Sequence, residues 1–380
     1  MKRIKWYLAG VGFVMLSACM GKKQTAAEPM DMKEFVYMCV GSYASAENEG
    51  IRLFQLNQET GDVVFLNGMK GIANPSFLTV SSDGKHIYAV GENDETSSTA
   101  NVICFSEPER KLEWLSSSLT HGGAPCNIVL SPDAHFVLTA NYGGGSLSVI
   151  PLMRDGKAGK ADTILFTGCG PDKERQAQPH LHCVQFTPDG KKLFASDLGT
   201  DRIYVFPVKN GAKDLLDREK MVDIKLPDGC GPRHLCFSQD GKRVYLITEL
   251  SGEVIVLLNN GAEFHELQRI QSDTLKAKGS ADIHLSPDGR FLYASNRLKG
   301  DGIAVFKVSE EDGTLTKVGY QSTGLHPRHF NLTPNGKFLL VACRDTDEIQ
   351  IYKRDKLTGL LEDTGKRIKM PKPVCVQFIP

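Results

Sequence analysis

"PHLHCVQFTPDGKKLFASDLGTDRIYVF" (residues 179–206) is the stretch that decides the fold. A short run with alternating apolar residues meets a T-P-D-G turn, a second run follows, and a polar turn leads into a third. Runs of this kind bounded by Pro, Asp and Gly are antiparallel hairpins. The unit recurs. Its turn Asp or Asn stands at 83, 133, 189, 240, 288 and 335, a period of 47 to 56 residues, and a more variable fourth strand such as "KLEWLSS" or "GTLTKVGY" completes the repeat. No segment keeps a helical period. Repeated four-stranded antiparallel units of this length make a β-propeller, one blade per repeat.

The two ends of the chain hold the pieces of one more unit. "PVCVQFIP" (373–380) matches a first strand, as in "HCVQFTP" at 182–188, and stops where the turn would begin. Residues 35–67 supply the second, third and fourth strands. One blade built from both ends closes the ring without an open sheet edge. The expectation is an all-β, seven-bladed β-propeller over 35–380, with the C-terminal strand joining the N-terminal ones.

The repeat register predicts where the polar residues go. In a propeller the first strand is innermost, so its start and the end of the second strand surround the mouth of the central channel. Seven residues before the turn Asp or Asn stand Ser76, Cys126, His182, Arg233, Ala281 and Arg328. Nine residues after it stand Glu92, Tyr142, Leu198, Glu249, Arg297 and Arg344, preceded by Gly91, Asn141, Asp197, Thr248, Asn296 and Cys343. The turns at the other end are interchangeable, whereas these positions are diverse and rich in Arg, His and Glu. Convergent polar groups in a concavity mark a binding site. Each residue also has a structural reading: His182 bonding a neighbouring blade, Arg233 and Arg328 in inter-blade salt bridges, Glu249 as a solvated rim residue. His180 and His182 form an H-x-H pair, but no third ligand is placed, so no metal is expected.

"GPRHLCFSQDGKRVYLITELSGEV", "HPRHFNLTPNGKFLLVA" and "ANYGGGSLSV", with the opening stretch, resemble the lactonase family of seven-bladed propellers. The resemblance runs from about residue 35 to the end. It implies a carboxylic-ester hydrolase of the 6-phosphogluconolactonase kind, opening 6-phospho-D-glucono-1,5-lactone in carbohydrate metabolism without a cofactor. The family's functional positions fall on His182, Arg233, His234, Glu249 and Arg328. Lactone hydrolysis needs an activated water, oxyanion stabilisation and a proton for the ring oxygen. His182, Glu249 and Arg233 are the expected catalytic residues, with the order of acid and base between His182 and Glu249 open. Arg328, His234, Asn141, Tyr142, Asn296 and Arg297 are the expected substrate contacts. The other reading is a propeller that binds a glycan or protein without turnover.

The first residues predict export. "MKRIKWYLAGVGFVMLSAC" has a basic start, an apolar run too short to span a bilayer comfortably, and a small-residue end before Cys19. It reads as a lipoprotein signal over 1–18, with lipid on Cys19, a tether over 19–34, and a periplasmic or outer-membrane location. Phosphorylated gluconolactone arises in the cytoplasm, so an exported enzyme points to another sugar lactone, and an unused signal to the cytoplasm. Lys+Arg and Asp+Glu are both 45, so net charge argues against a nucleic-acid partner. Beyond Cys19 nine cysteines remain, an odd number without zinc spacing, and most read as small buried hydrophobes. A Cys169–Cys230 disulfide is compatible with this but not predicted.

Overall fold

Each repeat forms its hairpins because its turn is built from its own side chains. The computed structural model describes residues 34–94, 96–209, 211, 214–261 and 263–380. In the six full repeats a hydroxyl two residues before the turn Asp or Asn donates to it, from Ser81 to Asp83 (2.6 Å) round to Thr333 to Asn335 (2.8 Å). The same oxygen accepts the N–H that opens the next strand, as from His86 at 2.9 Å. The following residue turns left-handed: Gly84, Gly190, Gly241, Gly289 and Gly336 have φ of 67–70°, and Ala134 takes 56°. Glycine suits that conformation because it has no Cβ to clash.

Among the described residues, 28 strands form seven four-stranded antiparallel sheets. The blade closed by both ends is taken as the first; it runs Pro373–Ile379, Phe35–Ser42, Ile51–Asn57, Val63–Met69. The fifth runs Pro232–Phe237, Arg243–Thr248, Glu253–Asn259, Phe264–Gln271. The first strands touch one another all the way round, Pro373–Ile379 contacting both Leu78–Val80 and Pro327–Leu332. The expected ring and its closure are therefore present. Apolar clusters fill the spaces between successive blades, such as Phe194, Val205, Leu235, Leu246 and Ile255 between the fourth and fifth.

Five of the first strands share one irregularity. The pairing with the second strand slips at Pro125/Asn127, Leu181/Cys183, Pro232/Leu235, Ser280/Ile283 and Pro327/His329. A bulge puts extra residues on one strand and re-aims their side chains. The displaced residues include Cys126, His182, Arg233, Ala281 and Arg328, the mouth positions of the register.

The signal segment, Cys19 and nearly all of the tether lie outside the described residues. No described helix is long and apolar enough to cross a membrane. The nine described cysteines are free, Cys169 and Cys230 among them.

Candidate active site

Three arginines from different parts of the chain close on one carboxylate. Glu249, at the end of the second strand of the fifth blade, is 6% exposed. Its Oε2 accepts from Arg233 Nε at 2.9 Å and lies 3.3 Å from Arg297 Nη2, while Oε1 accepts from Arg175 Nη2 at 2.6 Å. Burial pushes this carboxyl upward, but Arg297, Arg233 and Arg175 outweigh it and hold it at about 2. A group held so low keeps no proton at neutral pH. That favours Glu249 as a fixed charge over its use as general acid.

Arg328 differs from the other three. Its guanidinium lies 5.4 Å over the Tyr43 ring, and among the described residues no carboxylate is within ion-pair distance. Tyr43 Oη in turn donates to Glu92 (2.9 and 3.0 Å), which Ser76 also reaches. Four guanidinium groups thus stand by two carboxylates, an excess of positive charge in a buried to half-buried setting.

His182 stands between these groups. It is buried, with Nδ1 3.6 Å from Cys126 Sγ, and its ring meets Tyr142 edge-on at 5.5 Å and His234 at 5.3 Å. Burial first, then Arg233, His234 and Arg328, keep its imidazole well below the ordinary range, hence neutral. Tyr142 stacks on His180 at 4.3 Å. His180 Nδ1 donates to the Tyr142 carbonyl at 2.8 Å, so one nitrogen of the H-x-H pair is already used.

Two expected substrate contacts are not brought to the mouth. Asn141 donates through Nδ2 to Ser146 Oγ (3.0 Å) and Ser148 Oγ (2.8 Å), and its Oδ1 accepts from Thr139 (3.0 Å). Asn296 donates to Ser272 Oγ at 3.0 Å and accepts from Ser280 Oγ at 2.6 Å. Both are buried and committed within the blade wall. The reason is strand alternation: a neighbour of Tyr142 or Arg297 points to the opposite face. Arg297 does reach the site, braced by the Gly279 carbonyl at 2.7 Å and His326 at 3.0 Å.

The repeat register at the mouth does not include Arg175 or Asp282. Arg175 lies in the loop between blades, where no repeat position announces it. Asp282 is one residue past Ala281 and belongs to a second ring: Phe77, Asn127, Cys183, His234, Asp282 and His329, each six residues before its turn position, with Cys375 at the matching place in the C-terminal strand. Aligning that position would have revealed it. Asp282 Oδ1 accepts from His234 Nδ1 (2.8 Å); Oδ2 faces His284 Nε2 (2.9 Å) and His329 Nε2 (3.7 Å) and accepts the Phe330 N–H (3.1 Å). Asp282, His284 and His329 have the spacing of a metal site. However, Val376 N–H donates to His329 Nδ1 at 3.2 Å. That leaves the His329 proton on Nε2, facing the carboxylate, where it opposes metal ligation.

These features define a propeller with a cationic, histidine-lined channel mouth, suited to an anion that undergoes proton transfer. The model of the lactonase family, described as "7-bladed beta-propeller", matches residues 37–378, and the chain belongs to that family. It is similar to the 6-phosphogluconolactonase of Formosa agariphila, 36% identical over 89% of this chain and 96% of that protein. A solved structure from Bacteroides fragilis, described as a candidate 6-phosphogluconolactonase, is 48% identical with TM-score 0.88, covering 93% of this chain and all of that one. The periplasmic gluconolactonase of Pseudomonas aeruginosa is 30% identical with TM-score 0.84, covering 91% and 99%.

Proposed function

We propose that this chain hydrolyses an anionic sugar lactone, 6-phospho-D-glucono-1,5-lactone, to the open-chain acid. One observation carries the reading: Arg328, with no ion-pair partner among the described residues, stands in a mouth where Arg175, Arg233 and Arg297 are already bound to Glu249. Arg328 takes the negative charge that develops on the lactone carbonyl oxygen, and fixed donors in a water-poor site stabilise such charge strongly. Glu249 holds Arg233 and Arg297 in place. The neutral imidazoles of His182 and His234 serve the proton transfers, and Tyr142 borders the substrate. The names of the Formosa and Bacteroides relatives support the same substrate.

A second reading is favoured by the signal-like residues 1–18 and by the Pseudomonas relative, whose name places a gluconolactonase in the periplasm. In it the chain is exported, lipid-anchored on Cys19, and opens an unphosphorylated sugar lactone. Hydrolysis of δ-gluconolactone with and without the 6-phosphate separates the two. A preference for the phosphate supports the first, and a preference for the neutral lactone the second. No turnover of either leaves a binding propeller. Loss of radiolabelled palmitate on Cys19→Ser tests the anchor, and labelling that persists removes it.

A further inference from the structure

Four of the seven members of the second ring share a structural task. Asn127 Oδ1 accepts the Val184 N–H (3.0 Å), Asp282 Oδ2 that of Phe330 (3.1 Å), His329 Nδ1 that of Val376 (3.2 Å) and Cys375 Sγ that of Leu78 (3.3 Å). Each side chain accepts from the next blade, from the residue just past that blade's own ring position. His234 has the acceptor for this task but does not use it so. It spends Nδ1 on the Asp282 side chain, and its Nε2 is buried with no hydrogen-bond partner among the described residues. A buried polar atom left unpaired is costly, so such groups ask for an explanation.

We propose that His234 is the general base of the lactonase reaction, with Nε2 taking the proton from the attacking water, and that Asp282 is its positioning residue. The proposal rests on the lactonase reading above. The carboxylate fixes the proton on Nδ1, which leaves the Nε2 lone pair free, and it stabilises the imidazolium once formed. Asp282 is itself fixed by His284, His329 and the Phe330 N–H. The groups around His234 are Asp282, His182, Phe77, His284 and the preceding Arg233; burial first, then the Arg233 charge, opposes its protonation, and Asp282 favours it. Phe77 and His182 meet the ring edge-on at 5.7 and 5.3 Å and limit its rotation. Below it, a cavity of about 520 Å³ lined by Asp282, His284, His329 and Asn331 opens toward the hairpin turns.

The step balances. Water oxygen bonds to the lactone carbon as one water proton passes to Nε2. The carbon–ring-oxygen bond then breaks, and the ring oxygen leaves with that proton. The acid product releases the second water proton to solvent.

His234→Gln retains an amide donor for Asp282 but has no basic nitrogen. The full-length variant is expected to lose kcat by about a hundredfold or more with KM nearly unchanged. His234→Ala is expected to recover turnover with added imidazole, which a structural role would not allow. Asp282→Asn should lower kcat by roughly a hundred- to a thousandfold, also with little change in KM. Near-normal kcat in His234→Gln overturns the assignment. So does the absence of imidazole rescue in a folded His234→Ala. Nitrogen NMR of histidine-labelled wild-type protein tests it without substitution: Nδ1–H with a bare Nε2 supports it, and the opposite tautomer overturns it. If wild type opens neither lactone, the lactonase reading fails; if wild type is active and His234→Gln is too, only the base assignment fails.

Discussion

Arg233 Nε donates to Glu249 Oε2 at 2.9 Å, tying the bulged start of one strand to the end of the next at the channel mouth. The pair is buried, and Arg175 and Arg297 share the same carboxylate. Breaking a buried pair by removing one charge costs about 3–5 kcal/mol, because its partners are left uncompensated. Glu249→Gln should therefore lower stability by that order and lower kcat as the arginines lose their anchor. Urea unfolding measures the first; an unchanged midpoint would contradict it.

The same carboxylate sets a pH dependence. Its value in the fold, about 2, lies below the ordinary 4.5. A lowered carboxyl stabilises the fold above its unfolded value, and that contribution disappears as pH falls through the folded one. Wild type should lose stability from pH 4.5 down to 2 through this group, by about 3 kcal/mol at 1.36 kcal/mol per unit. Glu249→Gln should lose correspondingly less over the same window. Unfolding curves of both proteins across that window provide the comparison.

Arg328 predicts a different balance. Among the described residues it binds no carboxylate, and its contact with Tyr43 is worth about 0.5–2 kcal/mol. Arg328→Gln should fold nearly as well as wild type. Its kcat should drop roughly 10²–10³-fold if it stabilises the oxyanion. A variant that melts far earlier than wild type would instead make Arg328 a structural residue.

His182→Ala should leave the melting temperature close to wild type. Its neighbours are a thiol at 3.6 Å and two rings, not an ion pair. Turnover should fall by about a hundredfold. Near-normal turnover would remove His182 from the reacting groups.

The thiols offer an independent check on the fold. Cys169 is exposed, whereas Cys39, Cys126, Cys183, Cys230, Cys343 and Cys375 are buried and their thiols are pushed up by burial. A thiol reagent should label Cys169 first in the native protein, and peptide mapping after denaturation should find all nine described cysteines free. A Cys169–Cys230 disulfide in that map would contradict the structure.

The repeat, the blade count, the closing strand and the mouth positions of His182, Arg233, Glu249 and Arg328 were legible in the sequence. They follow from local turn chemistry and period-two alternation, which act over a few residues and repeat along the chain. Alternation also indicated that Asn141 and Tyr142 face opposite ways, although both were expected in the site. The charge relationships were not legible. Whether an arginine is free or bound depends on what other blades and loops bring within about 3 Å, and Arg175 comes from a loop with no repeat position. The sequence by itself determined a ring of seven blades with Arg, His and Glu at one mouth. Only the tertiary structure decided that Glu249 is enclosed by three guanidiniums, that Arg328 is not so paired, and that Asp282 stands behind His234. Those outcomes depend on long-range Coulomb and hydrogen-bond geometry across the channel, which no spacing along the chain encodes.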